Sequence, residues 1–170
     1  MDFSKAKQRC VKALLSVILS AFLGVFLSMS VTGFFGGSSG SGVRIAASVL
    51  TVGLLCVFVG NCGLKDAEED RKENSGKLSF GIPGLAAAAA SLPALLSYIV
   101  LAASKGFSDG AYRVFKLING WAFQICNLIN RSASSKDLTS GQTALLAVLI
   151  IVPAAVYLCF YLSAFLKKEA

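Results

Sequence analysis

Histidine is absent from the chain. That absence removes the base of a serine–histidine–acid triad and the commonest side-chain metal ligand, which disfavours a nucleophilic hydrolase and a histidine-ligated metal centre alike. The run "GSSGSG" is therefore not read as a catalytic serine motif. A serine–lysine pair would need a desolvated lysine, and no lysine falls inside an apolar run. Cysteine is sparse: Cys10, Cys56, Cys62, Cys126 and Cys159 are five, an odd number, with no CxxC spacing. Neither zinc nor a disulfide framework is indicated, and the thiols read as small apolar side chains. Paired catalytic carboxylates and a phosphate-cradling glycine loop are missing too. The expectation is a chain with no catalytic residues, no metal and no cofactor, and not an enzyme.

Charge is scarce and unevenly placed. Charged residues are 15% of the 170, and none occurs in 13–43, 45–64, 78–104 or 138–166. A soluble core helix carries a polar face; these runs carry none. A hydrocarbon layer about 30 Å thick needs about 20 apolar helical residues. The reading is an all-α fold, a polytopic helical membrane bundle forming a single integral membrane domain over 1–170. Its four transmembrane helices fall at about 13–31, 45–64, 82–103 and 143–166. The net charge of +7 does not imply nucleic acid, because the cations flank apolar runs, where lipid headgroups sit, and no basic–aromatic ladder accompanies them. The lipid bilayer is the expected partner.

Sidedness follows from lysine and arginine in the connections. With the N-terminus inside, the head, the loop after the second span and the tail hold ten, against six outside: Arg44, Lys105, Arg113, Lys116, Arg131 and Lys136. Both termini are expected in the cytoplasm, and the general look is that of a small bacterial plasma-membrane protein. The basic head also fits a signal peptide cleaved after "SMS", a weaker reading because the apolar run is long and three more spans follow. The loop 65–77 mixes acids and bases and reads as a solvated linker. Asp66, Glu68, Glu69 and Asp70 within it do not have EF-hand spacing. The Gly/Ser-rich stretch after the first span reads as a turn.

The stretch 109–131 stands apart. On a helical wheel Ala111, Val114, Phe115, Ile118, Trp121, Ala122, Ile125, Leu128 and Ile129 share one face, and Arg113, Lys116, Gln124, Asn127 and Arg131 oppose them. Asp109 is placed to cap the start and Arg131 to meet the last carbonyls. Spanning would bury cations and amides in hydrocarbon, so the preferred reading is an amphipathic interfacial helix, with Tyr112, Arg113, Lys116 and Trp121 touching lipid. A fifth span and a re-entrant or packing helix are the alternatives.

Within the spans, Ser16, Ser20, Gly24 and Ser28 make a small-residue stripe for close helix packing. It is either a homodimer face or a contact inside the chain, and the second is preferred because partner helices are at hand. Ala86–Ala90 is too weakly apolar to favour lipid and should be surrounded by helices. Pro93 and Pro153 lie inside spans and predict kinks; with Ser97, Tyr98, Tyr157 and Tyr161 they outline a candidate cavity. No charged residue lies in a span, which disfavours proton-coupled pumps and voltage sensors. Two function classes remain: a non-catalytic protein that assembles with or modulates a membrane complex, as a homo-oligomer or with another membrane subunit, and a transport component using the cavity near Pro93 and Pro153. A holin-like pore former is more remote.

Overall fold

A computed structural model describes residues 3–35, 40–73, 78 and 80–167, and every regular element among them is helical. Helix α1 is Phe3–Phe34. The second long unit joins α2 (Ser41–Leu55), a π-turn (Cys56–Gly60) and α3 (Asn61–Glu73). Helix α4 is Gly81–Ser104. Two short helices, α5 (Ala111–Ile118) and α6 (Phe123–Ile129), flank a 3₁₀ turn at Gly120–Ala122. The last unit is α7 (Ser140–Ala147), a 3₁₀ turn (Val148–Ile150) and α8 (Val152–Leu166). Four of these units, 3–34, 41–73, 81–104 and 140–166, are long and apolar enough to cross a bilayer. The protein is an all-α, multi-pass membrane bundle.

The side chains are sorted for hydrocarbon rather than water. Along α1 the buried positions are small or polar, including Ala13, Ser20, Ala21, Gly24 and Ser28, while Leu15, Ile18, Phe22 and Phe26 are exposed. Lipid offers no hydrophobic drive for helix association, so helices meet through small residues that let backbones approach, and large residues face outward. In water such an apolar surface would be an aggregation site. The alanine run of α4 follows the same rule: Ala86, Ala87, Ala89 and Ala90 are buried. Where α3 meets α8, a Cβ on Gly63 would strike the Tyr157 carbonyl, and one on Gly60 would lie 2.8 Å from the Phe160 ring.

Local expectations change in the loop after the second span and in the last span. The segment 65–77 is not a solvated linker throughout, because α3 continues to Glu73 and buries Asp66 and Asp70; residues 74–77 lie outside the described residues. Helix α4 runs through Pro93 without interruption. The last span breaks just before Pro153, where the 3₁₀ turn Val148–Ile150 leaves that proline in the first turn of α8. A first-turn proline lacks only an N–H that would have no helical partner. Residues 36–39, within the expected Gly/Ser turn, are likewise outside the described set. We call the side of Phe3, Glu73 and Leu166 the terminal end of the bundle, and the side of Phe34, Ser41 and Ser104 the hairpin end.

Candidate functional site

At the terminal end a buried charge cluster joins three elements. Arg9 is only 2% exposed. It donates to both carboxylate oxygens of Asp70 (2.7 and 2.9 Å) and to Glu69 Oε2 (2.9 Å). Its Nε sits 3.5 Å from Asp66 Oδ1, a distance for ion pairing rather than hydrogen bonding. Lys5, one turn earlier, donates to Asp70 (3.0 Å) and pairs with Glu73. From α8 the Tyr157 hydroxyl donates to Asp66 and the Tyr161 hydroxyl to Asp70 (3.0 Å). Arg71 closes the same end by donating to the Lys167 carbonyl at 2.7 Å. The bidentate arginine–carboxylate geometry is the strong, directional form of an ion pair. Desolvating these charges is costly, and the hydrogen bonds to the Arg9 terminal nitrogens offset that cost, although the buried Nε makes none.

At the hairpin end, 109–131 turns back on itself. The neck is closed where Ser135 donates to the Ser108 carbonyl. Beside it, Asp109 accepts from Ser134 at 3.0 Å and pairs with Lys136 at 3.2 Å. The Ser134 hydroxyl, and then the Lys136 ammonium, hold the Asp109 carboxyl below the usual carboxylate range. The chain thus enters and leaves on one side, with α5 and α6 linked by Tyr112 donating to the Cys126 carbonyl at 2.7 Å. Its tip reaches α1: a Cβ on Gly24 would lie 2.7 Å from the Gly120 carbonyl oxygen, and one on Gly120 would collide with the Ala21 carbonyl. Only glycine at both positions permits this approach.

The expectation of one unbroken interfacial helix is therefore corrected in its continuity and in three of its four lipid contacts. Asn119 and Gly120 interrupt the helix, and Tyr112 (0%), Lys116 (4%) and Trp121 (1%) are buried in protein rather than spread on lipid; Arg113 remains exposed. Outward-facing positions include apolar Val114, Leu117 and Leu128. Asn119 and Gln124 are buried and Asn127 half-buried, and partners meet all three. Gln124 donates to Ser28 (2.6 Å), Asn127 to Gln124 (3.3 Å) and Asn119 to Ser97 (3.0 Å). The cap expectations shift as well. Gly110 takes the N-cap position of α5 without a side-chain bond. Lys116 meets the carbonyls after α6, donating to Asn130 O (3.0 Å), Ser132 O (2.7 Å) and Asn127 Oδ1 (2.8 Å) over the Tyr112 ring. A capping box at Thr139 and Gln142 starts α7, and Gln142 also donates to Ile129 O at 3.0 Å, tying the hairpin to the last span.

The stripe on α1 is occupied within the chain. Ser16 contacts Cys62 Sγ at 3.1 Å, Ser20 donates to the Val17 carbonyl at 2.8 Å, Gly24 meets Gly120 and Ser28 meets Gln124. The six residues expected to outline a cavity have different partners. Tyr157 and Tyr161 belong to the terminal charge cluster, Ser97 accepts from Asn119, and Tyr98 lies edge-on to Phe115. Pro153 is buried and Pro93 half-buried.

Two adjoining clefts lie at the hairpin end. One, about 360 Å³, is lined by Arg44, Asn127, Asn130, Arg131 and Gln142 among others. The other, about 320 Å³, has Arg113, Lys116 and Arg131 beside Met29, Leu117 and Phe123. The terminal cluster and these clefts escaped sequence reasoning, although the first left a signal. Lys5/Arg9, Asp66/Asp70 and Tyr157/Tyr161 are each spaced by four residues, which stacks each pair on one helix face. No protein-family model matches the chain, and no curated protein or solved structure shows significant similarity to it, so its role rests on these two ends of the molecule.

Proposed function

We propose that the protein is a non-catalytic multi-pass membrane protein that assembles with another membrane protein through its terminal end. Both termini lie in the cytoplasm of a bacterial cell on this reading, in keeping with the excess of lysine and arginine on that side. The observation that carries it is the locked extension of the bundle. Helix α1 begins ten residues before the charge-free run starting at Ala13, and α3 ends nine residues after Leu64. At 1.5 Å per residue both project by roughly 13–15 Å. A solvated tail has no need to bury Arg9, Asp66 and Asp70; a docking surface of fixed shape does.

A transport component is the less supported reading. Its candidate hydroxyls, those of Tyr157, Tyr161 and Ser97, are engaged with Asp66, Asp70 and Asn119. Photo-crosslinking residues placed at the exposed positions of Lys7, Glu68 and Lys72 in native membranes test the assembly. One defined adduct to a second membrane protein is expected, lost on combining Glu68→Lys with Lys72→Glu while the unfolding midpoint holds. Adducts to lipid alone at all three positions would contradict the proposal.

A further inference from the structure

We infer that the hairpin end binds the phosphate of an anionic phospholipid in the two adjoining clefts framed by Arg44, Arg113, Lys116 and Arg131. This site is separate from the terminal end and does not rest on the assembly proposed there.

Charge is the first reason. The two clefts share Asn127 and Arg131, and the four cations lining them are accompanied by no carboxylate among the described residues. The other two lysines of this end are differently placed: Lys136 pairs with Asp109 and Lys105 donates to Ser140. Chemistry is the second. Arg113 and Arg131 are exposed, and a guanidinium offers paired N–H donors that match phosphate oxygens. Lys116 is a positioning residue: its ammonium is spent on Asn127, Asn130 and Ser132, holding the turn that forms the cleft floor while adding charge beneath it. Arg44 reaches the same turn at the Asn127 carbonyl, 3.4 Å away.

The third reason selects a lipid over a free phosphate. Met29, Leu117 and Phe123 wall the second cleft beside the cations, and Met29 and Leu117 are exposed on the bundle surface where acyl chains would run. A phosphate between Arg113 and Arg131 would place its glycerol and chains against that wall. Such a site also gives four of the six cations that oppose the positive-inside bias a bound anion nearby, two of them in direct contact and two behind the cleft wall.

The test is ligand retention and unfolding of the purified full-length chain in detergent, with phosphatidylglycerol, phosphatidylcholine or inorganic phosphate added at equal concentration. By native mass spectrometry one phosphatidylglycerol per chain should be retained, and the unfolding midpoint should rise. Arg113→Gln/Arg131→Gln should weaken retention at least tenfold, and Arg113→Gln alone several-fold should the double variant fold poorly. Leu117→Gln should weaken phosphatidylglycerol as well, and Lys105→Gln, at the same end but outside the clefts, should not. Equal retention of phosphatidylcholine, an equal rise with inorganic phosphate, or wild-type retention by the Arg113→Gln variant would overturn the inference.

Discussion

Arg9 and Arg113 sit at opposite ends of the bundle in opposite surroundings. Arg9 is enclosed by Asp66, Glu69 and Asp70, with Tyr157 and Tyr161 fixing two of those carboxylates from behind. Arg113 is exposed and lines a cleft with Lys116 and Arg131. At the terminal end Lys5 and Arg9 are matched by acids of the same bundle, so these two cations serve the fold. The hairpin end gathers cations around open volume, and two of them, Arg44 and Lys116, donate to carbonyls and an amide of the turn after α6. The difference teaches that a basic residue at the edge of an apolar run has no single meaning: the acids within reach decide whether it braces the protein or faces a ligand.

The comparison breaks first at Arg9. Arg9→Leu leaves buried carboxylates unneutralised, and removing one partner of such a pair costs roughly 3–5 kcal/mol. Arg113→Leu should move stability by no more than about 0.5 kcal/mol, as surface substitutions do. Denaturant midpoints of the two variants in the same detergent measure the contrast, and equal losses would erase it. Next comes the meeting of hairpin and α1. Gly24→Val has no room against the Gly120 carbonyl, and overpacking of this kind costs about 1–3 kcal/mol. Cys126 is buried; with the other cysteines replaced by alanine, its alkylation should accelerate in the valine variant and not in Gly33→Val, which meets nothing within 4 Å.

The smallest effect is expected at the neck. Because the folded Asp109 carboxyl is held low, it contributes stability above its unfolded value, about 3.9, and that contribution is lost as pH falls through the folded value. Asp109→Asn should therefore speed hydrogen exchange in 108–136 slightly at neutral pH. That difference from wild type should disappear below the carboxylate range.

The spans were legible because charge-free length is a property of sequence alone: all four expected ranges fall within helices long and apolar enough to cross. The alanine run showed its burial for a similar reason, since methyl groups gain little from lipid. The hairpin was not legible as such. Its amphipathic pattern from Ala111 to Arg131 was visible, yet the wheel assumed one unbroken helix and a partnerless interior. The break at Asn119–Gly120 and the presence of Ser28, Ser97 and Ala21 opposite it come from distant parts of the chain. The charge cluster failed for a related reason. Its three four-residue pairs are ordinary on a solvated helix and become specific only when α1, α3 and α8 are brought side by side.

Trp121 is the only tryptophan and sits in the hairpin, next in sequence to the Gly120 that meets α1, which makes its fluorescence in lipid bilayers the most direct test of the packing of the hairpin against α1. An indole enclosed by α1 and the hairpin should resist iodide added from either side and respond only weakly to lipids brominated near the headgroup. Strong quenching by iodide or by those lipids would place the residue at the membrane surface and contradict the packing described for α5, α6 and α1.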